Sequence, residues 1–380
     1  MTEMTHSFRN ARLVLPDEVI DGSLDTSAGL ISGIASGAAS HGHDCEGDYL
    51  IAGLVELHTD HLEVHYAPRP KVRWNPISSV QAHDAQIACA GITTVFDALR
   101  LGMDEDADLK ADDMRLLADA IETAQAENRL RADHFIHLRC EVSAPDVMDG
   151  FEIFGHDPRV KLISLMDHTP GQRQFVSLDA YKLYYKSKKG FTDEQMAEFI
   201  EKRRARADDI APRNRKLLSA IAAEHGVIIA SHDDATVAHV DEAISLNTRI
   251  AEFPTTLEAA RASHAAGMGV LMGGPNVVRG GSHSGNVSAK ALAEDGCLDI
   301  LSSDYVPASL LQAAFQLADE IDSLTLPKAM AMVTSTPAEM AGLHDRGRLV
   351  EGRRADLVQV RMVGTVPVVR GVWREGRRVA

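Results

Sequence analysis

Eight short apolar runs recur between residues 49 and 304, and most are followed by a longer stretch with helical spacing. They are YLIAGLVELHTD (49–60), GITTVFDAL (91–99), HFIHLRCEV (134–142), VKLISLMDH (160–168), GVIIASHDD (226–234), TRIAEF (248–253), GVLMGG (269–274) and LDILSSD (298–304). Several are apolar throughout rather than alternating, as parallel strands covered on both faces should be. Between them, residues 109–129, 193–224, 255–266 and 308–322 read as helices. This alternation predicts an α/β chain closed into a (β/α)8 TIM-like barrel. An open doubly wound sheet would normally carry a glycine-rich turn after its first strand; here that turn reads HTDH.

The ends follow another pattern. ARLVLP and GLISGIA near the start, and RGRLVEGRRADLVQVRMVGTVPVVRGVWREGRRV near the end, are short strand-like pieces broken by glycine turns. We expect residues 1–52 and 345–380 to pair into a small β domain beside a barrel of residues 53–344. Two long connections, 61–78 and 169–192, are of a length that usually serves a site.

The 380 residues are enough for a large core, and 45% hydrophobic with 25% charged residues is ordinary for a soluble globular chain. No run is long and apolar enough to span a bilayer, and MTEMTHSFRN lacks the layout of a secretory signal. Cys45, Cys89, Cys140 and Cys297 are scattered and form no CxxC, which argues for a reducing, cytoplasmic setting without a disulfide framework. A net charge of −16 makes nucleic acid an improbable partner. It leaves room for a small phosphorylated substrate, because a local basic cluster dominates at close range. A homodimer is the default expectation for a soluble enzyme.

In such a barrel the chemistry lies where strands end. The first run ends His58-Thr59-Asp60, the third Cys140-Glu141, the fourth Asp167-His168, the fifth Ser231-His232-Asp233-Asp234 and the eighth Ser303-Asp304. Residues two apart on a strand share a face, so His58 and Asp60 can present a nitrogen and an oxygen to one ion. Each alone has a plain alternative: a surface HxD, a salt bridge from Glu141 to Arg139, a hydrogen-bonded structural histidine. Five of eight strands ending this way is harder to set aside. Imidazole with carboxylate suits Zn, Mn or Fe, and the lack of a cysteine cluster favours a site that keeps a position for water.

The strand-end pattern and the segment GRLVEGRRADLVQV are similar to the amidohydrolase superfamily. LVELHTDHLEVHYAPRPKVRW, AHDAQIACAGITTVFDAL, DHTPGQRQF, ASHDDAT, AEFPTT, PNVVRGGSHSGNVSA and SSDYVPASLLQAAF resemble one branch of it, the diphosphatases that act on a ribosyl triphosphate in bacterial phosphonate metabolism. The resemblance implies a divalent metal cofactor, with zinc expected as one or two ions. It implies metal-ligand roles for His58, Asp60, Glu141, His232 and Asp304, with Asp304 also the catalytic base. The chain departs from the superfamily pattern at HxD in place of HxH, at the missing strand-four lysine, and at Glu252 where a histidine is usual. His168 either replaces that histidine as a ligand or touches substrate.

The implied reaction releases diphosphate from a sugar triphosphate, which calls for cationic contacts. His65, Arg69 and Arg73 come from the first long connection and Lys186 from the second. Asn276, Arg279 and His283 come from the glycine-rich stretch after the seventh strand, ahead of a helix expected near Val287 whose N-terminus favours anions. The alternative is a cyclic amidohydrolase or deaminase on the same barrel. It would need a pocket for a neutral or singly charged ring, against which the arginine-rich HYAPRPKVRW speaks. A non-catalytic phosphate-binding barrel should have lost ligands at several strand ends, whereas here most are filled.

Overall fold

The computed structural model describes residues 5–102, 108–170, 173, 192–282 and 285–380. Eight parallel strands follow one another around a barrel in chain order: β6 (Leu54–Thr59), β7 (Ile92–Leu101), β8 (Asp133–Glu141), β9 (Val160–Met166), β10 (Ile228–His232), β11 (Ile250–Glu252), β12 (Gly269–Gly273) and β13 (Ile300–Ser302). The ring closes just past β13. There the Asp304 amide donates to the His58 carbonyl at 3.1 Å, and the Thr59 hydroxyl donates to the Asp304 carbonyl at 3.0 Å. Glu56, fully buried on β6, reinforces the seam by accepting from the His58 amide (2.7 Å) and the Ser303 amide (2.5 Å). Burial pushes its carboxyl up to about 8, against the pull of those N–H donors.

Val55, Leu57, Phe96, Leu162, Ala230, Ile250, Leu271 and Ile300 form one buried cluster drawn from seven of the eight strands. It fills the barrel interior, so the tube is a packed core and polar groups are left for its rim.

A second sheet takes β1 (Thr5–Val14), β2 (Val19–Ser27), β3 (Leu30–Ser36), β4 (His43–Asp44), β5 (Tyr49–Ala52), β14 (Leu357–Val363), β15 (Val366–Arg374) and β16 (Arg377–Arg378). Its main order is β16-β15-β14-β5-β1-β2-β3, so β5 joins the early strands to the late ones. The run 49–60 is therefore two strands and not one. Gly53 separates them: a Cβ there would lie 2.2 Å from the Thr93 hydroxyl, so the bend tolerates no side chain. Periodicity misses the switch because both halves are apolar and buried.

Two helices lie between β6 and β7, α1 (Leu62–Tyr66) and α2 (Pro76–Cys89), and α3 (Ala111–Ala126) comes after β7. The connection 61–78 thus holds a short helix and the start of a second. Asn75 begins α2 by accepting from the Ser78 amide at 3.0 Å, with proline next in the chain where its missing N–H costs nothing. Asn75→Ala should destabilise the protein by about 1 kcal/mol. The check is a lower urea midpoint at constant slope; an unchanged midpoint would show the cap to be idle. The four cysteines are free, and no described helix is long and apolar enough to cross a membrane.

Candidate metal centre

Polar side chains gather at the C-terminal ends of the barrel strands. His58, next to last on β6, turns its Nδ1 to the Glu252 carboxylate at the end of β11, 3.1 Å away. Burial, with Arg139 and His232 nearby, holds the His58 imidazole well below its usual range, so it is neutral and keeps a lone pair. His137 of β8 stands beside it at 5.0 Å between ring centres. Its own nitrogens are engaged with the Leu57 carbonyl (2.9 Å) and the Ser164 hydroxyl (3.0 Å), and burial lowers it to about 3.

His232 closes β10 and meets Asp233 at 2.8 Å; the same Asp233 oxygen lies 3.7 Å from His168 Nε2. His168 Nδ1 in turn meets Glu141, the last residue of β8, at 2.5 Å. Glu141 also accepts from the His168 amide (3.0 Å) and the Ser143 hydroxyl (2.7 Å). Burial alone would raise its carboxyl, but His168, with help from Arg100 and Ser143, holds it far below the usual range.

Two trios result, His58–His137–Glu252 and His168–His232–Asp233, each with donor atoms within 4.8 Å of one another. The His58 and His232 rings join them at 6.0 Å. Asp304 sits beside this ensemble. Burial and the Asp60 charge push its carboxyl up to about 7, with Asp233 adding to the push while Arg139 and His232 oppose it. Asp233, Phe253 and Asp304, just beyond β10, β11 and β13, all adopt left-handed backbone (φ 57°, 53° and 53°). For residues other than glycine such conformations cost about 1–3 kcal/mol each and tend to cluster at functional sites.

The donor set fits a divalent cation. Neutral His58 offers a lone pair. Glu252 is fully buried, its carboxyl raised by burial against His137 and His232, and its Oε2 has no hydrogen-bond partner. A carboxyl raised by burial is stabilised in its charged form by a cation in contact with it, and mixed imidazole and carboxylate donors suit a borderline metal.

Of the positions expected to bind metal, His58, Glu141, His168, His232 and Asp304 lie at this rim. Asp60 lies one residue past the end of β6 and gives its carboxylate to Arg139 at 3.0 Å. The expected substrate contacts are dispersed. Arg69 and Arg279 are exposed. Arg73 is held by Asp108 (3.2 Å) and by Asp113 (3.5 Å) near α3. His65 faces α2, where it meets Gln86 at 3.1 Å. Asn276 accepts from the Ala289 amide at 3.0 Å, at the start of a helix of only seven residues (Ala289–Asp295). Lys186 and His283 lie outside the described residues.

Arg173, in the second long connection, is buried against Asp234 and Glu242.

Sequence reasoning misses several rim residues. Asp233 stands in the sequence beside His232, but its role as the link from His232 to His168 depends on a left-handed turn that no sequence pattern announces. Arg100 of β7 and Arg139 of β8 approach Glu141 (3.9 Å) and Asp60 (3.0 Å), and each has a buried Nε with no hydrogen-bond partner. Glu63 of α1 has a carboxyl pushed by burial up to about 7, in the field of Arg139 and Asp60.

Comparison with known proteins bears on the lineage and the fold. Residues 165–380 match the amidohydrolase family. Over 373 residues the chain is 46% identical to the alpha-D-ribose 1-methylphosphonate 5-triphosphate diphosphatase of Escherichia coli (strain K12), spanning 97% of this chain and 99% of that protein. Among solved structures, the 5-methylcytosine deaminase of Klebsiella pneumoniae superposes with a TM-score of 0.64 at 15% identity, covering 98% of each chain. The N-isopropylammelide isopropylaminohydrolase of Burkholderia multivorans gives 0.63 at 17%, covering 99% of this chain and 98% of that one. At such identities these two bear on the fold alone, but the family match and the full-length relative decide the lineage: this chain belongs to the amidohydrolase family.

Proposed function

We infer that the protein is a metal-dependent diphosphatase that hydrolyses alpha-D-ribose 1-methylphosphonate 5-triphosphate to the 5-phosphate and diphosphate in phosphonate metabolism. The observation that carries this reading is the 46% identity to a diphosphatase of that name over 97% of the chain. The rim supports it, since its histidines and carboxylates are in place to serve hydrolysis.

His58, Glu141, His168, His232 and Asp304 would hold the metal, with Asp60 completing the set when released from Arg139. Zinc is the ion this mixture of donors favours. When bound, a divalent cation lowers the pKa of water and polarises a phosphoryl oxygen. The residues do the rest. Asp304 takes the proton of the water that attacks the α-phosphorus, and the bond from that phosphorus to the bridging oxygen breaks so that diphosphate leaves whole. Arg100 and Arg139, with unpartnered guanidinium nitrogens, bind phosphate oxygens. Arg69 and Arg279, exposed and therefore free to swing, remain our candidates for the outer phosphates. Four unpaired cysteines support a cytoplasmic setting.

The test follows phosphorus products by NMR in protein stripped of metal and then given zinc. Diphosphate should appear as one species, stop on chelation and return with zinc. Orthophosphate as the first product, or undiminished turnover by Glu141→Gln, would overturn the reading.

A further inference from the structure

The carboxylate that closes β11 is buried against an imidazole of the strand-end rim. We propose, on the metal reading given above, that Glu252 is a positioning residue: it holds the proton on His58 Nδ1 and so aims His58 Nε2 at the ion, without being a ligand itself.

Glu252 Oε1 lies 3.1 Å from His58 Nδ1, and both side chains are buried. A carboxylate only accepts, so Nδ1 carries the ring proton and Nε2 keeps the lone pair. Among the described residues His58 Nε2 makes no hydrogen bond. His232 is arranged the same way. Its Nδ1 meets Asp233 at 2.8 Å, and its Nε2 is likewise unspent. Two rings with centres 6.0 Å apart thus each give Nδ1 to a carboxylate and keep Nε2. Such a contact fixes both tautomer and orientation, the outer support typical of ligating histidines.

The same contact takes Glu252 out of the ligand set. The two nitrogens of an imidazole face opposite sides of the ring. An ion on Nε2, bound at about 2.0–2.1 Å, lies across the ring from the carboxylate and beyond reach of its oxygens. Nor does the trio His58–His137–Glu252 offer a place for an ion, although its donor atoms lie within 4.8 Å of one another. His137 has spent both nitrogens, on the Leu57 carbonyl and the Ser164 hydroxyl, and its Nε2 is 3.9 Å from Glu252 Oε1. The trio is the scaffold of the centre, and the ion belongs on the far side of His58, towards His232.

Both partners are firmly held. Glu252 stands in register with His232 on β10 and Leu271 on β12, and its carbonyl accepts from the Asp233 amide at 2.9 Å. The His58 amide donates to Glu56 and its carbonyl accepts from the Asp304 amide. Phe253, next in the chain to Glu252, packs edge-on against the His58 ring with centres 5.1 Å apart. With the main chain and the ring packing set, the Nδ1 contact fixes the rotation and tautomer that remain.

Cobalt binding tests this apart from diphosphatase activity. Full-length protein is stripped of metal and titrated with cobalt, followed by visible absorption, as wild type, His58→Asn, Glu252→Gln and Glu252→Leu. Glu252→Leu, which has no acceptor, should bind about 10–100-fold more weakly, and Glu252→Gln, whose amide oxygen still accepts, by less than about 10-fold. At saturation both should show the wild-type bands, because no ligand has been removed, whereas His58→Asn should bind more weakly with altered bands. Altered bands in saturated Glu252→Gln would make Glu252 a ligand and overturn the proposal. So would wild-type affinity in Glu252→Leu. Should Glu252→Leu fail to fold, the imidazole N–H protons of zinc-loaded protein decide by NMR. One signal should vanish in His58→Asn and shift in Glu252→Gln; a signal indifferent to Glu252→Gln would overturn the proposal. Cobalt bound with these spectra but no diphosphate released would count against the diphosphatase reading only. Wild type that binds no cobalt would remove the metal centre and this proposal together.

Discussion

Replacing Asp304 with asparagine should lower kcat for diphosphate release by about 10²–10⁴-fold, the usual worth of a positioned general base. KM should change little, because the proton is taken in the transition state and not on binding. The same substitution should raise stability in the metal-free protein. The folded-state carboxyl sits at about 7 against an ordinary 3.8. The group's favourable contribution is therefore complete below about pH 4 and is lost as pH climbs through 7. Asparagine carries no charge to lose. Metal-free Asp304→Asn should melt above wild type near pH 8, and the gap should close towards pH 4. A group that costs stability and supplies turnover is held for chemistry. Wild-type kcat in the variant would remove Asp304 from the reaction.

Asp97→Asn should cost about 3–5 kcal/mol, because it leaves a buried charged partner uncompensated. Despite burial, His134 and His83 hold Asp97 down at about 2, and Asp97 and Asp84 hold His134 up at about 9. The signs set the pH window. The His134 contribution is full below its ordinary 6.5 and fades as pH rises through 9. The Asp97 contribution is full above 3.8 and fades as pH falls through 2. The gap between wild type and variant, read from urea midpoints, should therefore be widest from about pH 4 to 6.5 and narrow on both sides. A gap independent of pH would show that Asp97 faces neutral histidines.

The barrel is legible in the sequence because its strands are continuous apolar runs and its helices are amphipathic. His58, Glu141, His232 and Asp304 are legible because a barrel puts strand ends at one mouth. What escapes is set by tertiary contact. Asp60 shares a sequence face with His58, yet Arg139 holds its carboxylate. Arg73 lies in a basic, substrate-like loop, but acidic residues near α3 claim it. Arg173 has the look of a phosphate contact in a basic stretch, and Asp234 and Glu242 bury it. Spacing records which side chains a segment offers and says nothing about which partner reaches them first. The left-handed turns at Asp233 and Asp304 are beyond reach for another reason: neither is glycine, so the sequence shows no sign of the backbone they adopt.

The pairing of Ile51 with Val358 across β5 and β14 sets a timetable for the nascent chain. The ribosome adds about 300 residues between the two strands, roughly 15–60 s of translation. Throughout that interval the edge of β5 destined for β14, with Leu50 and Ile51 on it, has no partner and can pair with a neighbouring polypeptide. A holdase that shields this edge until β14 emerges should raise the yield of native enzyme, and a circular permutant bringing residues 357–378 next to β5 in translation order should need it less.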